Sequence, residues 1–283
     1  MNDELLVERD GRILWLTLNR PEVHNAISID LAERLASEIE SASEDHSSDG
    51  STGEDDDIRV VVIRGAGRSF CAGYDVGGGQ YGSRGLGPDA RHLRRLSLRW
   101  DRVFRAPLPV IAQVHGHCLA GGTDLAQHCD LVVVADDATI GFPAVRSMGV
   151  SLTQMWLYNV GPQWAKRLLL TGDSITGRLA AQIGFALTSV PADELAGEVE
   201  RLARRIALVG REMLIGNKYV INHGLDLMGR TALQEMAAVQ DAMAHRSPPA
   251  AEFAARARTD GLRAALRARD EPFGDDGPLE VTP

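Results

Sequence analysis

The chain reads as an α/β fold followed by a helical C-terminal subdomain. Three observations predict it. Short apolar, β-rich runs alternate with segments of helical period as far as residue 190. The runs at 58–64, 109–114 and 131–135 have unbroken apolar centres, as strands of a sheet covered on both faces do. From residue 193 onward only helical period remains.

In order along the chain, residues 5–8 and 13–18 are β-rich runs parted by Asp10-Gly11, a hairpin signature. Asn19-Arg20-Pro21 breaks the second strand and Asn25-Ala26-Ile27 follows. Ser28 is then a good N-cap for a helix whose Ile29, Leu31, Leu35 and Ile39 form an apolar stripe. Residues 41–57, SASEDHSSDGSTGEDDD, cannot bury enough area to offset ordering entropy and are expected to be a mobile acidic surface loop. The strand at 58–64 ends in Gly65-Ala66-Gly67, and after Ser69–Val76 a glycine-rich stretch, 77–87, is expected to lie over a cleft as a flexible loop. Residues 89–106 read as a basic amphipathic helix with Leu93, Leu96, Trp100, Val103 and Phe104 available for burial, closed by Pro107 and Pro109.

The strand at 109–114 runs into a turn with His115, Gly116 and His117, and Ala120-Gly121-Gly122 opens a segment with Asp124 in its first turn. A strand at 131–135 follows, then a loop of strand character at 138–150. Helical segments are expected at 154–160, 164–171 and 177–183, and a last strand at 187–190. Helices are expected at 194–208, 212–222, 230–246 and 252–269. This divides the chain into an α/β core, 1–192, and a helical subdomain, 193–283.

Composition bounds the function. With 44% hydrophobic and 24% charged residues the chain has enough apolar material for a core. A net charge of -9, from 30 basic and 39 acidic side chains, argues against a general nucleic-acid footprint. Cys71, Cys118 and Cys129 are an odd count without the spacing of a disulfide framework or a zinc site, so reduced thiols and no metal are expected. The first residues, MNDELLVERDGR, lack a positive start with an apolar stretch behind it, and no run approaches a membrane span; a cytoplasmic protein with no membrane partner is expected.

The chemistry concentrates in two stretches, 65–75 and 115–124, each a glycine-bearing turn after an apolar strand. If the strands are neighbours, the turns face each other and each can give one backbone N–H to a single oxygen. The second opens a helix, whose N-terminus favours negative charge. Two such donors stabilise enolates and tetrahedral adducts of thioesters, each worth roughly 3 kcal/mol or more. Glycine-rich turns after strands are also common for purely structural reasons.

The motifs in sequence narrow the choice. Asn19-Arg20-Pro21 with Asn25-Ala26 comes first, then Gly65-x-Gly67 with Phe70-Cys71-Ala72-Gly73-Tyr74-Asp75. Next are Pro109-Val110-Ile111-Ala112 with Gly116, Ala120-Gly121-Gly122-x-Asp124-Leu125-Ala126 and Cys129-Asp130. Ala138–Pro143, Leu168-Leu169-Leu170-Thr171-Gly172 and Ala180-Ala181-x-x-Gly184 complete the set. In these motifs and their order, over about residues 5 to 270, the chain resembles the enoyl-CoA hydratase/isomerase (crotonase) superfamily.

That resemblance implies a crotonase-like spiral core of repeated β-β-α units and an acyl-CoA thioester substrate, with coenzyme A as part of the substrate and no other cofactor. It implies backbone N–H groups of Tyr74 and Gly121 as the oxyanion hole, with Gly122 beside them, and contacts to CoA from His24, Ala26, Ala72, Asp75 and Val76. Lys218 sits where many relatives carry a lysine that can meet CoA phosphates. The family's two glutamates fall at Asp124, which keeps a carboxylate one methylene shorter, and at Ala144, where the second acid position is vacant. Relatives form homotrimers or dimers of trimers, and the same is expected here through the C-terminal helices.

Plain structural readings stand beside these. Asp124 can simply face the helix dipole. Cys71 and Cys118 read as small buried side chains rather than nucleophiles. His115 and His117 flank Gly116 as turn hydrogen-bonders or, near neutrality, as proton carriers. Asp75, Arg84 and Arg146 are lesser candidates, and Asp130 reads as an anchor. The favoured expectation is a 2-enoyl-CoA hydratase in which Asp124 positions or deprotonates water. An isomerase, decarboxylase or thioester hydrolase of the same superfamily is the alternative, and a non-catalytic acyl-CoA-binding paralogue is a third reading, motivated by Ala144.

Overall fold

The computed structural model describes residues 3–44, 57–76, 85–274 and 277–280. Most of the acidic stretch 41–57 and of the glycine-rich stretch 77–87, including Arg84, falls outside these residues. The hairpin forms as expected: β1 (Leu5–Asp10) pairs antiparallel with β2 (Ile13–Leu18), with Asp10 opposite Ile13. From β2 the sheet continues in parallel through β3 (Val60–Gly65), β4 (Val110–Val114), β6 (Leu131–Ala135) and β9 (Thr188–Val190), in the order β1-β2-β3-β4-β6-β9. Val60, Val61, Val62 and Ile63, and Val110, Ile111 and Ala112, are all fully enclosed, which is why their runs show no alternation.

Three strands are too short to show a period in the sequence. β5 (His117–Leu119), β7 (Thr139–Gly141) and β8 (Ser174–Thr176) form a second sheet in the order β5-β7-β8. The stretches read as a turn at 115–117 and a loop at 138–150 therefore contain strands, fixed by partners distant in the chain. β4 and β6 are neighbours in the large sheet while β5 and β7, which follow them, are neighbours in the small one. One β-β-α unit thus stacks on the next and the chain winds as a spiral.

Helices cover both sheets. Ser28 caps α1 (Ile29–Glu44), its Oγ accepting the Leu31 N–H at 3.0 Å. α2 (Leu86–Arg105) buries Leu93, Trp100, Val103 and Phe104, and α3 (Gly121–His128) is buried along its whole length. α4 (Met155–Thr171) joins two segments expected separately, with a break at Gly161 before Pro162. α5 (Gly177–Ile183) leads to β9. α6 (Leu195–Ile206), α7 (Arg211–Leu227), α8 (Arg230–Ala244), α9 (Pro248–Thr259) and α10 (Leu262–Asp270) follow. The last two replace the single helix expected at 252–269, because Gly261 at φ +88° ends one helix and redirects the chain.

No packing boundary falls at 192/193. Leu195, Val199, Ala203 and Ala207 belong to the same apolar core as the large sheet, so α6 is part of the core. α8 packs along α2. α9 and α10 close over the segment after β7, where Met148, Phe253 and Ala265 form a small core of their own with Val76 and Ala144 packed against it.

Candidate functional site

Asn25 sets the first turn. Buried at the base of β3, its side chain accepts the Arg20 N–H and donates to Ala66 O at 2.8 Å and Ser69 O at 2.7 Å, stapling 65–69 in place. The chain from Cys71 to Asp75 then lies between two others. Ile27 N–H donates to Gly73 O and accepts Asp75 N–H on its own carbonyl, while Cys71 N–H donates to His117 O and Leu119 N–H to Cys71 O. In this parallel bridge the peptide groups of Gly73 and Asp75 are turned toward Ile27, so Tyr74's own N–H points away from it, to the side of Leu119–Gly121.

The second turn closes on the first. A Cβ placed on Gly73 would lie 3.1 Å from Ala120 Cβ and 3.4 Å from Gly121 N, and one on Gly122 would lie 2.4 Å from Cys71 O. Gly122 is therefore required by the approach of the Cys71 backbone. Ala120 is held at φ 48°, ψ -117°, a conformation costly for a residue with a side chain. It swings the chain so that Gly121 starts α3, where its N–H has no acceptor within the helix. The structure thus brings Tyr74, Gly121 and Gly122 together, with two backbone N–H groups on adjoining turns.

The Tyr74 side chain connects this turn to Asp124. Its ring lies against Gly121, where an added Cβ would come within 2.8 Å of Cδ2 and Cε2, and stacks on Trp100 with centroids 6.5 Å apart. Trp100 Nε1–H donates to Tyr74 Oη at 2.8 Å, and the Tyr74 hydroxyl donates to Asp124 Oδ2 at 3.0 Å. Asp124 Oδ1 accepts the Thr153 hydroxyl at 2.8 Å. Asp124 is 0% exposed, and its burial pushes the carboxyl up to about 7 against the opposing hydrogen bonds of Thr153 and Tyr74. Trp100 was legible only as a core residue, and Thr153, in a segment without period, gave no signal. Both complete the network.

Ala144, where the resemblance leads one to expect a second acid, has an apolar setting. Ala144 lies in the 3-10 turn Pro143–Arg146 against the Met148, Phe253 and Ala265 cluster, with Val76 on the same cluster. Arg146, next but one, is committed to the C-terminal end: Nη1 donates to Asp270 at 3.0 Å, Nε to Thr171 O, and the guanidinium sits 4.1 Å from the Phe273 ring centroid.

The other predicted residues divide. His24 and Ala72 are joined by the Ala72 N–H to His24 O bond. Ala26 O and Asp75 Oδ2 both accept from Arg20, at 2.6 and 2.8 Å. These four lie on the edge of the first turn. Ser69 Oγ stands 3.2 Å from both His24 Nδ1 and His117 Nδ1, and His115 Nε2 is 3.0 Å from Gly67 O, so both turn histidines hold loop 65–71. Cys71 and Cys118 are fully buried and burial raises both thiols, Cys71 to about 12, which fits side chains of the core.

Lys218 is a correction. Its ammonium is enclosed, 2.7 Å from Asp130 Oδ2 and 2.9 Å from Leu108 O, and so is committed to an internal ion pair rather than presented to a phosphate. Asp130 is the anchor it was read as: it also accepts the Val110 N–H at 2.7 Å. One surface cleft, about 520 Å³, is lined by Val145, Gln154, Lys166 and Leu169 among others, and Tyr74, Gly121 and Asp124 are not on its wall.

Comparison with known proteins follows the same lines. Residues 8–252 match the model of a family described as enoyl-CoA hydratase/isomerase. The chain is 34% identical over 207 residues to the 2,3-dehydroadipyl-CoA hydratase of Escherichia coli (strain K12), covering 72% of this chain and 76% of that protein. It is 31% identical to the crotonyl-CoA hydratase of Syntrophomonas wolfei, covering 79% and 83%. Among solved structures, an enoyl-CoA hydratase from Mycobacterium smegmatis superposes with a TM-score of 0.88 at 35% identity over 97% of this chain and 96% of that one.

Proposed function

The chain belongs to the enoyl-CoA hydratase/isomerase (crotonase) family, and from that premise we propose that it hydrates the double bond of 2-enoyl-CoA thioesters. The meeting of the 71–75 and 119–122 turns carries this reading: the N–H groups of Tyr74 and Gly121 would receive the thioester oxygen as it takes on enolate charge. Asp124, poised near neutrality beneath them, is the proton store. His24, Ala26, Ala72 and Asp75 would line the way for CoA, whose moiety serves only as the handle of the substrate. The names of the relatives as hydratases support the reaction class.

Turnover of a 2-enoyl-CoA series, followed as loss of the conjugated thioester, is the test. No loss at any chain length, with CoA thioesters still bound, overturns hydration. One observation favours a second reading. Asp124 is sealed from solvent and the second acid position is apolar, which suits an isomerase that carries a single proton between two carbons. Product mass separates the two: hydration adds water and isomerisation adds nothing. Loss of carbon dioxide or release of free CoA would instead point to the decarboxylase or hydrolase members of the family. Tight binding without any product would leave a binding protein. For assembly we propose a homotrimer or a dimer of trimers, and for location the cytoplasm. Among the described residues no helix is long and apolar enough to cross a membrane.

A further inference from the structure

Thr153 reaches Asp124 from a segment that is neither helix nor strand. Residues 150–153 lie between the 3-10 turn Pro143–Arg146 and α4, and Gln154 behind them is held at φ 55°, uncommon for a residue with a side chain. Such a segment has no ladder of its own, so the groups it meets set its shape. At one end the Thr153 hydroxyl donates to Asp124 Oδ1 at 2.8 Å, and the Thr153 N–H serves the same carboxyl. At the other end Val150 N–H donates to Asp241 Oδ1 on α8 at 2.7 Å. Between them Leu152 is buried against Leu93 of α2 and Ala238 and Ala242 of α8.

Asp241 is itself held in place. It is 5% exposed, and a Cβ on Gly149 would lie 2.2 Å from its Oδ1, so a glycine at 149 is what lets the chain pass this close. His245 Nε2, one turn along α8, stands 3.5 Å from Oδ1, and His245 Nδ1 is 3.0 Å from Asp89 Oδ2 of α2, which also meets Arg246 at 3.3 Å. Contacts therefore run from α2 through α8 to residues 150–153 and end on the carboxyl of Asp124.

We propose that Asp241 is a positioning residue for the reaction, holding Thr153 against Asp124 through residues 150–153 and standing near Asp124 as a second carboxylate. The proposal rests on the hydratase reading. Burial pushes Asp241 up to about 6 and Asp124 up to about 7, and the charge of Asp241 adds to the rise of Asp124. Asp241 thus ionises first, and its charge is present while Asp124 titrates. Addition of water asks Asp124 to accept a proton, so the rate follows its ionised fraction. The other charged groups on the packed elements are paired with one another. Arg230 of α8 is tied to Asp101 of α2 at 2.7 Å and to Asp226 of α7 at 2.9 Å, and Arg94 of α2 meets Glu235 of α8 at 2.6 Å. His128 of α3 is buried and pushed down to about 4, so it stays neutral.

The experiment compares wild type, Asp241→Asn and Asp241→Ala for turnover of crotonyl-CoA from about pH 5.5 to 9, for α-proton exchange of butyryl-CoA in heavy water, and for binding of butyryl-CoA. Asp241→Ala leaves Val150 N–H without this acceptor and should lower plateau turnover and exchange by about tenfold or more, with thioester binding kept. Asp241→Asn keeps an oxygen for that N–H but carries no charge. It should recover most of the lost turnover, and the acid limb of its profile, at about pH 7 in wild type, should move down by about half a unit or more. A residue that only supported the fold would leave that limb where it is. Asp241→Ala with wild-type turnover and profile, or Asp241→Asn with an unmoved limb, overturns the proposal while leaving the hydratase reading intact. Wild type that neither hydrates nor exchanges overturns both. If Asp241→Ala does not fold, Asp241→Asn decides alone: a lowered limb supports the proposal and an unmoved one overturns it.

Discussion

Asp124 shows how one side chain acquires its chemistry from enclosure. A first-turn aspartate on an exposed helix would ionise readily beside the dipole. Here burial outweighs both that and two hydroxyl donors, and the carboxyl sits at about 7. Because its folded value lies above the unfolded one, the protein binds more protons than the unfolded chain between about pH 4 and 7, and stability falls as pH rises through that window. The contribution is about 4 kcal/mol, and Asp124→Asn is expected to remove it. Denaturant unfolding at pH 5 and pH 8 checks this: the variant should lose less between the two than wild type, although Asp241, pushed up to about 6, keeps some slope of the same sign. Lys218 makes the opposite case. Lys218→Ala would strand the part-buried Asp130 carboxylate and is expected to cost about 2–4 kcal/mol of stability with no change in acyl-CoA affinity, read by unfolding and by titration with a CoA thioester. A fall in affinity at unchanged stability would restore the phosphate role. Nothing in the sequence around Lys218 distinguished these fates, because its partner lies 88 positions away across the fold.

At the scale of elements, the long and fully apolar strands and the capped helices were legible. β3, β4 and β6 declare themselves by unbroken Val and Ile, and α1 by Ser28 and its stripe. β5, β7 and β8 did not, since three residues carry no period and each exists only through a partner elsewhere. The two site turns belong to both classes: their glycines were visible, but the reason for them was not. Gly121 is required by the Tyr74 ring above it. Gly121→Ala should therefore displace that ring, detach its hydroxyl from Asp124 and reduce turnover by tenfold or more while circular dichroism stays native. Unchanged turnover would mean that the ring moves without consequence.

The whole molecule brings the C-terminal half onto the first half in two ways. α6 completes the sheet's core, and α9 with α10 covers Val76 and Ala144 of the same chain, held there by Arg146. α7 and α8 leave apolar side chains outside among polar ones: Met213, Val220 and Leu227 recur every seventh residue on α7 at 62%, 68% and 78% exposure, and Met236, Val239 and Met243 make a stripe on α8. Stripes of this kind on a monomer are an association surface. Light scattering should give three or six chains, and Val220→Glu with Met236→Glu should lower that number. A monomeric wild type would remove the assembly.

The class of fold, the family, the two glycine turns and an alanine at 144 were legible in the residues alone, because these are carried by local period, by turn chemistry and by residue identity. That Tyr74 presents its phenol to Asp124, that Thr153 and Trp100 complete that contact, and that Lys218 turns inward emerged from the folded chain. Each of those depends on side chains far apart in the chain being enclosed together, and burial, which sets both their hydrogen bonds and their protonation, is a property of the folded whole.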